Sequence, residues 1–298
     1  MEILTIVLSG LLSVLSGGGI VLDSQAQSRI GSQIISIEEQ AVRIDNRPSY
    51  QIATGKLQQV RIATRGVRIE PGLRIAALEI ATDPIALKQG ELNLDSIDTL
   101  RSALAKPASG MVKLVVTQAD INRALKSPQV LSQFQDAFNR ALSGRTGSAI
   151  GYQLSDLSLE LRPANRLEIR FKLSRPPFER AGETSTVKRR SKELDVLLKL
   201  AVEVEGGKII RAIAPQGTIN GRPMSSRLLN GFATGISERL NLDAFSADGI
   251  LVRILQLEIN EDKLESIGFI FVKTKSVQLS STKIVFPRIR SIIHAGSQ

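Results

Sequence analysis

Apolar residues alternate with polar ones over the stretch from Leu154 to Ala214, which turns at Pro163-Ala164-Asn165 and at Glu205-Gly206-Gly207-Lys208. Period-two alternation broken by Gly, Pro and Asn turns is typical of an antiparallel meander with one dry face and one wet face. A continuous apolar face of this length must be covered by something. We call this predicted face the aliphatic wall; its residues are Leu157, Leu159, Leu161, Leu167, Ile169, Phe171, Val196, Leu198, Leu200, Val202 and Val204.

Shorter alternating runs predict further strands on both sides of the aliphatic wall. These strands are predicted within Leu57–Ile80, Val112–Val116, Val252–Ile259 and Ile267–Val272. The first run contains two strands, with a turn at Pro71-Gly72 and a slip in phase at Gly66. Such slips indicate bulges, which curve a sheet. Residues 83–107 are mostly polar and predict a connection.

Three amphipathic helices are predicted, at Asp23–Gln40, Thr117–Leu142 and Ser225–Leu240. The first has an apolar stripe at Ala26, Ile30, Ile34, Ile37 and Ala41. The second begins at Thr117, three residues before Asp120, in a pattern similar to a capping box. It also places Phe134 and Phe138 on its apolar face. Strands and helices in this order predict an α+β fold.

The N-terminal residues 3–22 carry no charge and are numerous enough to span a hydrocarbon core of about 30 Å. Only Met1-Glu2 precedes them, so the basic start of a secretory signal is missing. Three glycines at 17–19 also weaken a continuous helix. An uncleaved anchor, an atypical export signal and a hydrophobic hairpin packed on the domain all fit. The predicted organisation is a hydrophobic segment (1–22), an α+β domain (23–275) and a basic tail (276–298).

The composition excludes most kinds of catalytic site. The chain of 298 residues has no cysteine and a single histidine, His294, so thiolate, Cys–metal and almost all His-dependent mechanisms are removed. The phosphate-loop, dinucleotide-binding, H-E-x-x-H and G-x-S-x-G patterns do not occur. Glu203 and Glu205 lie on the polar side of a strand, where solvation explains them. We expect no enzyme activity, no bound metal and no cofactor.

The net charge of +10 and the pI of about 10.1 predict a polyanionic partner. Aromatic residues make up only 4%, which disfavours nucleic acid bound by stacking and leaves an anionic membrane surface. No acidic residue follows Glu265. The residues expected to contact lipid headgroups are Lys188, Arg189, Arg190, Lys192, Arg288 and Arg290. A solvated loop and a soluble tail are the simpler interpretation of these two clusters.

Two interpretations of the aliphatic wall fit the sequence pattern. In the first, the predicted helices pack on it and make a dry core. In the second, a strongly curved sheet wraps one long helix and leaves a groove for acyl chains, each buried CH₂ contributing about 0.8 kcal/mol. Under the second interpretation the wall residues, with Phe134 and Phe138, contact lipid, and aspartate at Leu198 or Val202 should abolish lipid retention.

Five stretches resemble a known family: MEILTIVLSGLL (1–12), VRIDNRPSY (42–50), GKLQQVRIA (55–63), RIAALEIATDPI (74–85) and LVVTQADIN (114–122). On these stretches the chain resembles the LmeA-type family of phospholipid-binding proteins, in its cyanobacterial form, over most of residues 1–275. The resemblance implies a fold similar to the tubular lipid-binding superfamily, a curved antiparallel sheet around a long helix, and it carries no catalytic motif. The N-terminus lacks the basic start expected of exported members, and the basic tail has no match in the family.

The sequence therefore favours a non-enzymatic phospholipid-binding or lipid-carrier protein of the bacterial envelope or internal membranes. It would be associated with a membrane, in the periplasm or at thylakoids. The alternative is a structural interaction module with a dry core, which docks on an acidic partner through its basic patches. Oligomeric state is not predicted.

Overall fold

The structure, a computed structural model, describes residues 34–69, 72–88, 97–132, 134–135, 152–174 and 193–275. The strands are β1 (Ile34–Ser36), β2 (Glu39–Asp45), β3 (Lys56–Leu57), β4 (Gln59–Ile69), β5 (Leu73–Thr82), β6 (Ile85–Ala86), β7 (Ala108–Thr117), β8 (Gln153–Arg162), β9 (Arg166–Ser174), β10 (Leu194–Glu205), β11 (Ile209–Ile219), β12 (Arg222–Pro223), β13 (Ile250–Ile259) and β14 (Lys263–Val272). The helices are α1 (Ile97–Ala103), α2 (Gln118–Leu125) and α3 (Ser226–Arg239), with 3-10 segments at Ser49–Thr54 and Leu242–Asp248. Helices joined to antiparallel sheets confirm the α+β class.

The larger sheet has seven antiparallel strands, in the order β1-β4-β5-β7-β14-β13, and β2 also pairs with β4. Strand β4 shows the predicted alternation, with Val60, Ile62 and Val67 buried and its arginines exposed. Gly66 has φ +63° and lies where the alternation slips, so the predicted phase slip is confirmed. One face of this sheet therefore holds a hydrophobic core and the other faces solvent.

The prediction of a helix over Asp23–Gln40 is wrong in its last part. Residues from Ile34 onward form β1 and β2, which pair with β4 from Ile34 opposite Ile69 to Asp45 opposite Gln59. The stripe Ile34, Ile37 and Ala41 has helical spacing, but β-branched residues favour strands and the long-range pairing with β4 decides. Residues 23–33, the hydrophobic segment 1–22 and the basic tail 276–298 lie outside the described residues.

The predicted polar connection over residues 83–107 contains elements that the sequence pattern missed. The connection contains β6, which forms a two-stranded sheet with the earlier strand β3, and then helix α1. Four side chains of this region are buried in the core of the larger sheet: Ile85, Leu87, Leu100 and Leu104. They cover one end of that core, although none belongs to a run long enough to show a period.

The smaller sheet has five antiparallel strands, in the order β12-β11-β10-β9-β8, and these are the strands predicted for the aliphatic wall. Ala164 and Asn165 have positive φ values of 62° and 54° in the β8–β9 turn. Gly206 and Gly207 have φ values of 57° and 69° in the β10–β11 turn. Both turns occur where the sequence predicts them, at Pro163-Ala164-Asn165 and at Gly206-Gly207.

Helix α2 lies between the two sheets. Thr117 Oγ1 accepts a hydrogen bond from Asp120 N at 3.2 Å, which confirms the predicted N-cap. The Asp120 carboxylate is buried, and its Oδ2 accepts bonds from Thr117 Oγ1 at 2.6 Å and from Arg74 Nη1 of β5 at 3.2 Å. The hydrogen bond from Arg74 to Glu38 lowers the pKa of Glu38 and raises the pKa of Arg74. These contacts hold the start of α2 against the larger sheet.

Side-chain amides hold the outer edge of β8. Asn122 Oδ1 accepts a hydrogen bond from Leu159 N at 2.9 Å, and Asn122 Nδ2 donates to Leu159 O at 2.7 Å. Gln118 Oε1 accepts from Leu161 N at 2.7 Å. Gln135 bonds Leu154 N and Tyr152 O in the same way. The side chains of Gln118, Asn122 and Gln135 thus satisfy backbone groups of this edge as a neighbouring strand would.

Turns of the smaller sheet hold the outer edge of β13. Asn165 Oδ1 accepts from Ile259 N at 2.7 Å, and Asn165 Nδ2 donates to Leu257 O at 3.2 Å. The Asn165 carbonyl accepts from Val202 N at 2.8 Å. At the other turn, Gly207 O accepts from Ile254 N at 2.8 Å. The two sheets therefore meet along β13.

Glu265, on the outer face of β14, is predicted to govern part of the acid sensitivity of the protein. Hydrogen bonds from Lys113 and Lys263, both 2.8 Å long, lower its pKa from 4.5 to about 2. Its contribution to stability is complete above about pH 4.5 and is lost as the pH falls toward 2, because the unfolded chain takes up the proton first. The melting temperature of Glu265→Gln should therefore fall less than that of the wild type as the pH is lowered over this interval. Circular dichroism melts at several pH values measure this fall in melting temperature. Glu261→Gln, in the exposed turn, is the control. An equal fall in the wild type and both variants would contradict the prediction.

Candidate functional site

The aliphatic wall forms as one face of the smaller sheet, because its residues meet in rows across paired strands. One row joins Leu159, Ile169 and Leu198, and a second joins Leu161, Leu167 and Leu200. In a third row Phe171 and Val196 are neighbours of Ile219. Eight of the eleven predicted wall residues are thus neighbours across paired strands.

Helices cover one half of the aliphatic wall. Leu157, Phe171, Val196 and Leu198 are buried in one hydrophobic cluster with Leu125 of α2 and Leu229 of α3. Leu159 and Ile169 are partly exposed and pack against this cluster. Helix α3 is held beside β11, where Ser237 Oγ accepts from Ala212 N at 3.1 Å. This half of the wall is part of the protein core.

The other wall residues do not belong to this helix-covered cluster, and we call Leu167, Val202 and Val204 the exposed half of the wall. Leu167, Val202 and Val204 are partly exposed, while Leu161 and Leu200 between them are buried. Phe134, beyond α2, is 41% exposed. Phe138 and the predicted headgroup residues Lys188, Arg189, Arg190, Lys192, Arg288 and Arg290 lie outside the described residues. That the wall residues contact lipid stays a prediction.

A second apolar surface lies on the core-side face of the larger sheet and was not recognised in the sequence. We call it the open strip; it consists of Val112 and Leu114 of β7, Val252, Ile254 and Leu257 of β13, and Ile270 of β14. All six residues are partly exposed, although their neighbours Leu78 and Ile80 on β5 are buried at 3% and 7% exposure. Burial on this face therefore falls from the centre of the sheet toward β13.

The open strip is bounded by a buried residue at each end of β13. Ile250 and Ile259, the first and last residues of β13, are only 1% and 2% exposed, and the strip lies between them. Small residues alternate with large ones across it: Gly110 faces Ile270, Gly268 faces Val112 and Ser266 faces Leu114. A side chain at Gly110 would come within 2.8 Å of the Ala81 carbonyl oxygen, so close strand packing favours glycine there. The strip is bounded along its length and lined by aliphatic groups.

The open strip and the exposed half of the aliphatic wall adjoin each other. Asn165 bonds Leu257 and Ile259 of β13 through its side chain and Val202 of β10 through its carbonyl. The main chain of β10 at Val202 therefore lies close to the end of β13 that carries Leu257 and Ile259. The combined surface offers apolar contact and few polar side chains, which suits a ligand of hydrocarbon chains rather than one that needs hydrogen bonds.

The sequence pattern did not show the open strip because β13 and β14 carry apolar residues on both faces. Leu251, Ile267, Phe269 and Phe271 point to the opposite side from the strip. Without clear alternation, neither face can be assigned to core or solvent. The open strip could have been recognised from two small residues, Gly110 and Gly268, which interrupt strands of otherwise bulky residues.

Charged side chains of the smaller sheet lie on the face opposite the aliphatic wall. Burial raises the pKa of Glu168, but a hydrogen bond from Lys199 and the nearby charges of Arg162 and Arg170 outweigh it, so the pKa lies below its ordinary value. Among the described residues no three or more His, Cys, Asp or Glu side chains form a group suited to a metal ion. Within the same ranges no helix has the length and apolarity needed to cross a bilayer.

The family to which the chain belongs follows from comparison with protein-family models. The model of the LmeA-like phospholipid-binding family matches residues 14–269, and so covers most of the 298 residues. No curated protein and no solved structure matches the chain. The family description agrees with a surface that offers aliphatic contact to a hydrocarbon ligand. The chain belongs to the LmeA-like phospholipid-binding family.

Proposed function

We propose that the protein is a non-enzymatic phospholipid carrier that holds acyl chains against the open strip and the exposed half of the aliphatic wall. The observation that carries the proposal is the open strip itself, six partly exposed aliphatic residues between the buried Ile250 and Ile259. Aliphatic side chains left open to water favour an apolar ligand, because each CH₂ group removed from water contributes about 0.8 kcal/mol. Family membership supports phospholipid as that ligand.

We also propose that a curved sheet surrounds a helix in this protein. This arrangement is supported by α2, which contacts β5 and β7 of the larger sheet and β8 of the smaller one. Arg74 and Asp120 join the helix to one sheet, and Asn122 joins it to the other. Because α2 is held by both sheets, the region that remains for the acyl chains runs along β13, where the two sheets meet.

The proposed setting is a membrane of the bacterial envelope or an internal membrane, where the carrier would collect and release phospholipid. Burial of both acyl chains would leave the phosphate headgroup at the margin of the strip, in water. Acyl chains need no hydrogen-bonding partners, which is consistent with the near absence of polar side chains in the strip. No covalent change in the lipid is part of the proposal.

The experiment that tests this function is native mass spectrometry with lipid extraction, on protein purified without detergent. We expect the wild type to carry a stoichiometric adduct of phospholipid mass. Val252→Asp places a charge in the open strip and should remove the adduct, because an ionised carboxylate beside an acyl chain is strongly disfavoured. Thermal melts confirm that the variant is folded.

Leu255→Asp is the matched control, because Leu255 lies on the same strand but is 61% exposed at the β13 bulge, outside the strip. This variant should keep the lipid. A wild-type chain that carries no lipid and takes none from vesicles would contradict the proposal and favour the interaction module with a dry core. Lipid retained by a folded Val252→Asp variant would show that the strip is not the site.

A further inference from the structure

The charges of the larger sheet are separated between its two ends. At one end β2, β5 and β14 finish and β4, β7 and β13 begin. We call this the basic end and define it as residues 43–61, 81–88, 97–109, 248–252 and 271–275. Its acidic residues are Asp45, Asp83, Asp98 and Asp248. Its cations are more than twice as many: Arg43, Arg47, Lys56, Arg61, Lys88, Arg101, Lys106, Lys273 and Lys275.

The opposite end of the same sheet has the reverse balance. It consists of residues 36–39, 65–69, 72–75, 115–123 and 257–265. Its five cations are Arg65, Arg68, Arg74, Arg123 and Lys263, and its seven acidic residues are Glu38, Glu39, Asp120, Glu258, Glu261, Asp262 and Glu265. The excess of positive charge is therefore a property of one end of the sheet and not of the whole surface.

Backbone hydrogen bonds join the segments of the basic end into one continuous surface. Asn46 Nδ2 donates to Lys56 O at 2.9 Å, and Lys56 is paired with Ala86. Ala86 O accepts from Ala105 N at 2.8 Å, which places Lys106 beside this pair. On the other side, Lys275 N donates to Arg101 O at 3.0 Å. The segments that carry the cations are thus hydrogen-bonded to one another.

The acidic residues of the basic end do not neutralise it. Asp45 is shared by Arg43 at 2.7 Å and Arg61 at 3.9 Å. Asp98 is shared in the same way by Arg101 at 3.6 Å and Lys275 at 3.5 Å. Arg47, Lys56 and Lys106 are exposed, and the described residues provide none of them with an ion-pair partner. Among the described residues, then, these three cations are exposed to solvent and without a neutralising carboxylate.

Two exposed apolar side chains accompany the cations. Tyr50, in the 3-10 segment after Arg47, is 72% exposed. Met111, on the outer face between Ala81 and Phe269, is 39% exposed. Tyrosine is enriched at membrane–water interfaces, where its ring lies at the level of the headgroups. Cations around exposed apolar side chains suit an anionic bilayer better than a nucleic acid, which would offer no apolar layer.

We propose that the basic end is the surface by which the protein docks on an anionic phospholipid bilayer. This inference deepens the proposed function, since it names the membrane contact of the lipid carrier. Docking through this end would bring the open strip close to the bilayer, because Val252 is only two residues from Ile250 at the basic end.

Vesicle co-sedimentation tests the docking surface, with vesicles of phosphatidylcholine alone or mixed with phosphatidylglycerol. The wild type should bind only the mixed vesicles, and added salt should weaken this binding because charges are screened beyond about 10 Å at 0.1 M. The triple variant Arg47→Gln, Lys56→Gln, Lys106→Gln should bind about 100-fold more weakly, since each cation near an anionic surface contributes about a five-fold factor. Tyr50→Ser should weaken binding further.

The matched control removes the same number of charges elsewhere, with Lys126→Gln, Arg222→Gln and Arg227→Gln, all exposed and outside the basic end. It should bind mixed vesicles nearly as the wild type does. Equal losses in the two triple variants would overturn the proposal in favour of a net-charge effect. Wild-type protein that ignores mixed vesicles but binds duplex DNA would overturn it in favour of nucleic acid.

Native mass spectrometry of the same variants separates this proposal from the proposed function. The Arg47, Lys56 and Lys106 triple variant should retain its phospholipid adduct, because none of the three residues belongs to the open strip. A carrier without membrane docking would then be seen directly. Vesicle binding by a wild type that carries no lipid would support docking while contradicting the carrier function.

Discussion

Leu198→Asp is expected to unfold the protein, whereas Val202→Asp is expected to leave it folded and without lipid. Both residues belong to the aliphatic wall on β10, and both are apolar positions of the same alternation. Leu198 is 6% exposed and is buried in the cluster that includes Leu125 and Leu229. Val202 is partly exposed, and its main-chain N–H donates to Asn165, whose side chain bonds β13 at Leu257.

The size of the Leu198 effect follows from two costs that add. Truncating a buried leucine costs about 2–5 kcal/mol, and an unpaired carboxylate in an apolar cluster adds several more. Together they reach the entire stability of a typical domain, about 5–15 kcal/mol. At Val202 the carboxylate keeps contact with water, so we expect a loss of about 1 kcal/mol in stability.

Circular dichroism melts and native mass spectrometry distinguish the two wall positions. We expect no cooperative melt for Leu198→Asp, and for Val202→Asp a melt close to that of the wild type with no phospholipid adduct. Leu198→Met conserves volume and is the control; it should be folded and should carry lipid. A folded, lipid-free Leu198→Asp protein would contradict the division of the wall and place acyl chains under the helices.

Asp120→Ala is expected to destabilise the protein by about 3 kcal/mol, the second large effect. The Asp120 side chain is 4% exposed and pairs with Arg74 at 3.2 Å, and its removal leaves the guanidinium of Arg74 with Glu38 alone. It also removes the acceptor for Thr117 Oγ1, the N-cap of α2. Breaking a buried pair from one side costs more than the pair contributes, because the remaining charge is left without its partner.

Asp98→Ala is the matched control, because Asp98 also lies in the first turn of a short helix, α1, but is 66% exposed. Its loss should cost less than about 0.5 kcal/mol, as for most surface ion pairs. Urea unfolding of both variants gives the two free energies. Equal costs would show that the Arg74–Asp120 pair does not join α2 to the larger sheet.

The strands of the aliphatic wall and of β4 and β5 could be predicted because each has one buried face. Their alternation is local information, and Gly66 and Thr117 add turn and cap signals with a direct physical cause. The last part of the first predicted helix was wrong because Ile34, Ile37 and Ala41 fit a helical spacing as well as a strand. Only pairing with β4, whose partner residues run from Gln59 to Ile69, separates the two.

The candidate site was only half accessible from the sequence. Alternation identified the wall residues but not their coverage, because the positions of Leu125 and Leu229 over Leu198 depend on tertiary packing. The open strip was missed because β13 and β14 have apolar residues on both faces. Helix α1 was missed because a single residue of it, Leu100, is among the buried core residues, which is too few to form a period.

The capped edges of β8 and β13 have a consequence for the lipid-free protein. Amyloid-like growth requires a strand with free backbone groups to which another chain can add. At β8 the amides of Gln118, Asn122 and Gln135 occupy those groups, and at β13 Asn165 and Gly207 do so. At these two edges the backbone groups are therefore not available to another chain, so self-association of the lipid-free protein should not begin at β8 or β13.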